Sequence, residues 1–295
     1  MYIMALIVFD KNEKVTYQNI LRKLYKNIIV SFIKSLYPRH FNQKKSILLL
    51  KRAKSLKKNI RNNRFPQDYI KNGRRIAVYT CVYGGYDSIK PIKIKNQFCD
   101  YYIFTDQKVD SSTGWIKIDY KFPKDVGNNS VVKNRYIKMH PHLLFKEYDY
   151  SIYLDGNLTI QFDILHLMPR MKKLTIGLFN HLRGDTNLYD EANILMKSNE
   201  EWVEPIEKQV NLYKAQGFPK DFGFFECCLI IRKHHDKNVI AIMDNWWQEF
   251  IENKIKRDQL SFMYSVWKAG MTKNDIASLG STIFNEPAIL RDEHH

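Results

Sequence analysis

The sequence contains few of the residues that characterise disulfide-rich scaffolds and structureless chains. Only four of its 295 residues are cysteine, 12 are glycine and nine are proline. The cysteines (Cys81, Cys99, Cys227 and Cys228) include no Cys-x-x-Cys pair, so we predict reduced thiols, as in the cytosol, rather than a disulfide framework or a zinc site. The low glycine and proline contents exclude a collagen-like or linker-like chain. By contrast, 44% hydrophobic and 14% aromatic residues are enough to fill a core.

Long apolar runs are also missing. No stretch reaches the roughly 18 consecutive apolar residues that a transmembrane helix requires. Residues 1–9 are apolar, but no basic stretch precedes them and no small-residue cleavage site follows, so we do not interpret them as a signal peptide. We therefore expect a cytoplasmic protein.

Acidic residues are scarce in one part of the chain only. Residues 1–75 contain 19 basic and three acidic residues, which accounts for the whole net charge of +16, whereas the remainder contains 28 of each kind. A protein that binds nucleic acid through its folded body should carry its basic surface on that body. The balanced remainder therefore argues against nucleic acid as a partner.

The basic part has the pattern of amphipathic helices. Apolar residues recur at spacings of three and four over residues 15–36, and residues 44–64 combine an apolar run with nine basic side chains. We predict a basic helical segment over residues 1–72, a turn at Asn72-Gly73 and a second domain over residues 73–295. Such a segment suits an anionic membrane surface, here the inner face of the cell membrane. Helices packed on the body, or binding to nucleic acid, are the alternatives.

Beyond residue 73, β-rich runs alternate with helical patterns. This alternation predicts an α/β fold with a largely parallel sheet. The predicted strands are residues 75–82, 100–105, 115–119, 149–154, 174–179 and 227–232, and the predicted helices are residues 130–139, 189–197, 200–216, 237–253 and 258–268.

Three of the predicted strands end in acidic or glycine-containing turns. These turns are residues 83–87, Asp106 and residues 155–157. Ligands of open α/β sheets collect at the carboxyl ends of the strands, so the turns are candidate ligand-binding loops. Taken singly, Gly84-Gly85 is equally consistent with a tight turn and Asp106 with a helix cap or turn.

The third turn, Asp155-Gly156-Asn157, presents a carboxylate and an amide oxygen two residues apart. Oxygen ligands of this kind suit Mg²⁺ or Mn²⁺, which share their coordination with diphosphate oxygens. The alternative is a β-hairpin turn, in which residues 158–160 form the returning strand.

Several motifs occur in an order that resembles the glycosyltransferase-like domain of the plant turgor-defect and mucilage-related proteins. The resemblance covers residues 75–268, and bacterial members look like surface-polysaccharide enzymes. It implies a GT-A-like nucleotide-sugar fold with residues 155–157 in the place of the Asp-x-Asp metal motif. The motifs are IAVYTCVYGGYD (76–87), YIFTD (102–106), NRYIKMHPH (134–142), YSIYLDGN (150–157), HLR (181–183), YDEA (189–192), GFP (217–219), FE (225–226) and RDQLSF (257–262).

The resemblance and the residue chemistry together give a candidate site. Asp155 and Asn157 are the predicted metal ligands, although the neutral Asn157 should bind a metal more weakly than a second carboxylate would. Asp258 and Glu226 are the predicted catalytic carboxylates, binding sugar hydroxyls or serving as a base; the alternative for Asp258 is a helix cap. The predicted donor-binding residues are Tyr83, Gly84, Tyr86, Asp87, Asp106, Arg135, Lys138 and Asp155, and the predicted acceptor or phosphate-binding residues are His181, Arg183 and Gln259.

The basic candidates have alternatives of their own. Arg135 and Lys138 lie three apart on one helix face and suit a diphosphate, but they are also consistent with an exposed basic face. His181 and Arg183 are equally consistent with a loop pair. Trp246 and Trp247 are expected to pack rather than to form a sugar platform. His294 and His295, at the end of the chain, are not expected to replace the histidine metal ligand of similar retaining transferases.

From these residues we expect a glycosyltransferase. It would transfer a hexosyl or uronosyl group from a nucleotide sugar to a glycan acceptor in capsule or lipopolysaccharide synthesis, with Mn²⁺ or Mg²⁺ as cofactor. One alternative is a hydrolase of lipid amides, a role given to one plant branch of the resembling family, although the sequence has no zinc-type histidine cluster and no Gly-x-Ser-x-Gly element. The other alternative is a non-catalytic basic binding protein.

Overall fold

The computed structural model describes residues 75–184, 186–253 and 257–291. The basic segment predicted over residues 1–72, with its two amphipathic runs and the turn that follows it, lies outside these ranges, as do His294 and His295. Within the described ranges, no helix combines the length and the apolar character needed to cross a membrane.

Nine strands of the described ranges form two sheets. A seven-stranded sheet has the order β3-β2-β1-β4-β7-β6-β8, and a separate pair joins β5 to β9. The strands are β1 (Ile76–Val82), β2 (Cys99–Thr105), β3 (Ile116–Ile118), β4 (Tyr150–Asp155), β5 (Leu158–Ile160), β6 (Ile176–Asn180), β7 (Phe225–Arg232), β8 (Ile276–Ser278) and β9 (Ile289–Arg291).

The large sheet is parallel except around β7. Strands β3, β2, β1 and β4 run parallel, β7 runs antiparallel to both β4 and β6, and β8 is parallel to β6. All seven residues of β1 are buried, as expected for a central strand covered on both faces. The predicted α/β class and the largely parallel sheet are therefore confirmed.

The helices lie close to their predicted positions. The prediction over residues 200–216 was too long at its start, where a short 3₁₀ turn precedes the α-helix. The helices are α1 (Ser130–Met139), α2 (Pro141–Leu144), α3 (Leu188–Ser198), α4 (Val203–Ala215), α5 (Lys237–Glu252) and α6 (Gln259–Lys268).

The alternation of side chains along the strands creates a core on each face of the sheet. Tyr79 of β1 and Tyr153 of β4 point to one face, where they meet residues of the α-helices. Val78 and Ile152 point to the other face, which a 3₁₀ segment (Ile164–Met171) and the β5–β9 pair cover. Both central strands are thus enclosed, and only their ends can reach a ligand.

Strand β5 has a different partner from the one that a hairpin would give it. Leu158, Thr159 and Ile160 pair antiparallel with residues of β9, about 130 positions further along the chain, and not with β4. The hairpin interpretation of residues 155–160 is therefore wrong. The turn at Gly156 instead carries the chain from the central sheet to the second sheet, which leaves Asp155 at the end of β4.

Candidate active site

The carboxyl ends of β1 and β4 meet at the turn that follows Asp155. Gly156 is packed so closely that an added Cβ would lie 2.7 Å from Cγ2 of Val82 and 3.1 Å from Oδ2 of Asp87. Glycine is required here by close approach, since any side chain would displace the end of β1. The contact places the predicted donor-binding residue Asp87 beside the predicted metal turn.

The loop after β1 is fixed by β2 and by the start of α1. The Gly84 N–H donates to Oδ2 of Asp106 at 2.9 Å, so two of the predicted donor-binding residues are in direct contact. Gly84 has φ +71°, and a Cβ there would lie 2.7 Å from Oγ of Ser130. Tyr83 is half-buried against Phe122, whereas Tyr86 is exposed.

Helix α1 is held in place at its start and along its length. Asn129 caps it by accepting from the Val131 and Val132 N–H groups. Asn134 Nδ2 donates to the carbonyl oxygen of Cys81 at 2.7 Å, which ties the helix to the end of β1. One face of the helix consequently brings Arg135 and Lys138 toward the end of β4.

Four charged side chains form what we call the site cluster: Arg135, Lys138, Asp155 and Asp258. Lys138 Nζ lies 2.8 Å from Asp258 Oδ2 and 3.4 Å from Asp155 Oδ1. Arg135 Nε lies 2.9 Å from Asp258 Oδ1. Three separate parts of the chain therefore place two cations and two carboxylates together, and all four residues were among the predicted site residues.

The pKa values of Asp258 and Lys138 favour the charged forms of these two residues. Burial would raise the pKa of Asp258, but Arg135 and Lys138 outweigh burial and hold that pKa well below its usual range. Burial would lower the pKa of Lys138, but Asp155 and Asp258 raise it above the ordinary value. Asp258 and Lys138 are thus both charged at physiological pH and form a fixed ion pair.

The members of the cluster differ in exposure. Lys138 is 2% exposed, whereas 33% of the Asp155 side chain is exposed. Arg135 is partly exposed. A ligand at this edge of the sheet can therefore reach the Asp155 carboxylate, while the Lys138 ammonium already has two carboxylate partners.

Sequence reasoning did not identify two aromatic residues that complete the cluster. The Tyr153 hydroxyl donates to Asp155 Oδ1 at 2.9 Å, and Trp246 Nε1 donates to the backbone carbonyl of Asp258 at 2.7 Å. Tyr153 could have been found, because residues two apart on a strand share a face. Trp246 had no such signal, since its partner lies on another element.

The predicted catalytic residue Glu226 lies at the start of β7 and holds the chain that follows β8. Its two carboxylate oxygens accept from Thr282 Oγ1 and from the Ile283 N–H, each at 3.0 Å. Burial raises its pKa, and these hydrogen bonds only partly offset that effect. The geometry gives Glu226 a structural contact and little access to a substrate.

The predicted acceptor residues lie directly after β6 and at the start of α6. His181 Nε2 is 4.0 Å from a Glu191 carboxylate oxygen, and Arg183 forms an ion pair with the same carboxylate. Burial, together with Arg183, lowers the pKa of His181 to about 4, so this imidazole is neutral. Gln259 donates to the carbonyl oxygen of Phe225 at 2.9 Å, which joins α6 to β7. In this arrangement these residues bind one another or neighbouring backbone.

A metal ion would find few ligands supplied by the protein. Asp155 offers a partly exposed carboxylate, whereas Asn157 is only 3% exposed. Within the described ranges, no three His, Cys, Asp or Glu residues are grouped so as to hold a metal ion. Mg²⁺ is commonly bound by one or two carboxylates together with substrate phosphates, so Asp155 fits a metal whose other ligands come from a diphosphate and water.

Residues 59–286 match the family described as TOD1/MUCI70, glycosyltransferase-like domain. The chain belongs to this family. The match begins before the predicted boundary at residue 73 and ends after residue 268. The resemblance inferred from the ordered motifs is thereby confirmed, over a longer part of the chain than the motifs themselves cover.

Relatives of this TOD1/MUCI70 domain are named as glycosyltransferases. The chain is 24% identical to the "Probable hexosyltransferase MUCI70" of Arabidopsis thaliana over 224 residues, which cover 65% of this chain and 37% of the plant protein. The match thus spans little more than a third of that relative's length.

Two solved structures are similar to the chain at 11% sequence identity. The apo form of the bifunctional glycosyltransferase WbbM matches with a TM-score of 0.42 and 11% identity, over 70% of this chain and 38% of WbbM. The glycosyltransferase GlyE of Streptococcus pneumoniae TIGR4 matches with a TM-score of 0.38 and 11% identity, over 70% of this chain and 45% of GlyE.

Proposed function

We propose that this TOD1/MUCI70 domain transfers a hexosyl or uronosyl group from a nucleotide sugar to a glycan acceptor, with the donor diphosphate at Asp155. The observation that carries the proposal is the site cluster, in which a partly exposed carboxylate at a strand end adjoins Arg135 and the loop of Gly84 and Asp87. Glycosyl transfer from such a donor requires that the negative charge of the departing diphosphate be neutralised.

The charges of the site cluster support a divalent cation as the neutralising group. Arg135 and Lys138 are each paired with a carboxylate, so the cluster as a whole has no excess positive charge to offer a diphosphate. A cation bound by Asp155 and the diphosphate would supply it, acting as a Lewis acid on the leaving group. Arg135, which is partly exposed, would contact a diphosphate oxygen at the edge of the site.

Asp258 does not suit the role of a base. A general base works best when its pKa lies near the operating pH. The pKa of Asp258 is held far below that value, and both of its oxygens are paired with cations. We therefore propose that Asp258 holds Arg135 and Lys138 in position, and that Glu226 holds the chain after β8, in place of the proton transfer expected from the sequence.

Turnover of the donor tests this proposal directly. The purified full chain is incubated with a panel of nucleotide sugars and Mn²⁺, and release of the nucleoside diphosphate is measured. Asp155→Ala should reduce release by at least about a hundredfold, because it removes the charged ligand at the strand end. Asp110→Ala is a matched control, since Asp110 is an exposed carboxylate that caps a short 3₁₀ turn. Turnover by a folded Asp155→Ala protein at the wild-type rate would refute the assignment.

We further propose that the enzyme acts in surface-polysaccharide synthesis, at the cytoplasmic face of the membrane. The support for the membrane location is the excess of basic residues in residues 1–75, which should attract anionic lipid by about 1 kcal/mol for each residue near the surface. Replacement of five of them by glutamine (Lys51, Arg52, Lys54, Lys57 and Lys58) should release the full chain from vesicles that contain anionic lipid. Equal sedimentation of the variant and the wild type would refute this part of the proposal. No described feature favours a lipid-amide hydrolase or a non-catalytic binding protein.

A further inference from the structure

The ammonium group of Lys138 occupies an enclosed position between two carboxylates. It lies 2.8 Å from Asp258 Oδ2 and 3.4 Å from Asp155 Oδ1. The rings of Tyr153 and Trp246 lie beside it, with centroids 5.2 Å and 5.4 Å from Nζ. The Lys138 ammonium is therefore held against Asp155 from inside the protein, on the side of the carboxylate away from solvent.

The backbone of Lys138 is fixed as firmly as its side chain. Its carbonyl oxygen accepts from Arg232 Nη1 at 2.7 Å and from the Tyr79 hydroxyl at 3.3 Å. Arg232 and Tyr79 are themselves buried in the central strands β7 and β1. The last turn of α1 consequently cannot carry the ammonium away from Asp155 without breaking these contacts.

We propose that Lys138 competes with a divalent cation for Asp155, and thereby makes metal binding depend on the bound donor. This inference rests on the proposed function. The ammonium shares Asp155 Oδ1 with the Tyr153 hydroxyl, and its charge repels a second cation at the same carboxylate. A diphosphate brings the negative charge that offsets this repulsion, so the metal binds together with the donor.

Other charged groups near Asp155 do not account for the same effect. Arg135 also interacts electrostatically with Asp155, but its ion pair is with Asp258, at 2.9 Å, so it does not occupy the Asp155 carboxylate. The thiol of Cys227 is kept neutral, because burial raises its pKa well above the ordinary value. Asp258 attracts the ammonium and lies on its other side, so it balances Lys138 without occupying Asp155. Removal of the lysine charge is therefore the specific test.

Mn²⁺ binding to the full chain without nucleotide gives a readout that does not depend on turnover. Paramagnetic titration of free Mn²⁺ should show that Lys138→Met binds the ion at least about thirtyfold more tightly than the wild type. Lys138→Arg keeps the charge and should bind as weakly as the wild type. Tyr153→Phe removes only the neutral hydrogen bond to Asp155 and should change the affinity by no more than about fivefold.

The wild-type protein provides a second test that does not rely on a variant. UDP and GDP, added in turn, should strengthen Mn²⁺ binding, and Mn²⁺ should strengthen binding of the same nucleotide by the same factor, as linkage requires. In Lys138→Met this coupling factor should shrink. Circular dichroism and thermal unfolding establish that each variant is folded; if Lys138→Met does not fold, the coupling in the wild type decides.

Two results would overturn the inference. One is equal or weaker Mn²⁺ binding by folded Lys138→Met, and the other is Mn²⁺ binding to the wild type that nucleotide leaves unchanged. Failure of the proposed function looks different. If Lys138→Met binds Mn²⁺ more tightly but no nucleotide sugar is turned over by the wild type, the competition at Asp155 stands and the assigned reaction falls. If the wild type turns over the donor but no variant differs in Mn²⁺ binding, the assigned reaction stands and the competition at Asp155 falls.

Discussion

Two clusters of buried ion pairs can be compared within this molecule. The site cluster joins Lys138 to Asp258, and a second cluster, which we call the C-terminal cluster, joins His166 and Arg170 to Glu286. The two pairs Lys138–Asp258 and His166–Glu286 both link residues 120 positions apart at 2.8 Å. Arg170 Nη1 contacts the other oxygen of Glu286 at 2.9 Å. By partner distance and sequence separation alone, the clusters are alike.

Exposure separates the two clusters. The side chain of Glu286 is 1% exposed, and its Oε1 also accepts from the Ala288 N–H at 3.1 Å. The site cluster instead ends in Asp155, whose carboxylate is one-third exposed at the end of a strand. A cluster whose carboxylate is exposed can bind a ligand through it, whereas a cluster whose carboxylate is enclosed fixes the chain. The C-terminal cluster accordingly anchors the segment that leads into β9.

Loss of charge at Asp258 should produce the largest effect of the matched changes in the two clusters. Asp258→Asn preserves the shape but leaves Arg135 without its carboxylate and Lys138 with Asp155 alone. We expect donor turnover to fall by at least about a hundredfold and the free energy of unfolding to fall by about 3 kcal/mol. Steady-state kinetics and urea unfolding measure the two quantities. Undiminished turnover would show that the cluster is structural, like its counterpart.

The same change in the C-terminal cluster should affect stability alone. Glu286→Gln removes the charge that Arg170 and His166 contact, and the free energy of unfolding should fall by about 3 kcal/mol. Turnover per folded molecule should stay within about twofold of the wild type, because distant sites act independently. A catalytic loss as large as that of Asp258→Asn would contradict the division between the clusters.

His140 and His234 differ from His166, because within the described ranges neither has a carboxylate at ion-pair distance. Burial lowers the pKa values of His140 and His234 to about 4, from an ordinary value of 6.5. Below pH 6.5 the unfolded chain binds protons that the folded protein does not, so stability is complete above that pH and is lost as the pH falls toward 4. Each histidine should cost about 2 kcal/mol of unfolding free energy at pH 5.

Urea unfolding between pH 7 and pH 5 measures this loss, in a range above the titration of most carboxylates. His234→Gln retains a donor for the Phe145 carbonyl oxygen, which His234 Nε2 contacts at 3.0 Å, but cannot be protonated. Between pH 7 and pH 5, the free energy of unfolding of the variant should fall by about 2 kcal/mol less than that of the wild type. An equal slope in both proteins would exclude His234 as a source of acid sensitivity.

The sequence was sufficient to predict the elements that carry the site, because those elements have strong local patterns. The buried run before Asp155 and the capped helix that carries Arg135 and Lys138 both lie where they were predicted. Their partners could not be predicted, since Asp258 is 120 residues from Lys138 and nothing local indicates the contact. The hydrogen bonds of Glu226 could not be predicted for the same reason, because its partners lie 56 and 57 residues away.

The smallest predicted effect concerns Asn157, the third residue of the proposed metal-binding turn. Asn157→Asp is nearly isosteric and adds a carboxylate two residues after Asp155. Its affinity for Mn²⁺ in the presence of UDP should increase by about fivefold, since a charged oxygen ligand replaces a neutral one. Without metal the variant should be less stable, because a second carboxylate beside Asp155, in a position that is 3% exposed, costs repulsion and desolvation.

Both quantities follow from titration calorimetry and from thermal unfolding with and without Mn²⁺. Mn²⁺ should raise the unfolding temperature of Asn157→Asp more than that of the wild type, since the cation relieves the added repulsion. A double variant that combines Asn157→Asp with Lys138→Met tests whether both residues act on the same cation. If both residues act on one cation at Asp155, the gains in Mn²⁺ affinity should not add, because each change alters the charge that the other change meets. Unchanged affinity in Asn157→Asp would remove Asn157 from the metal's ligands and leave Asp155 as the ligand on this turn.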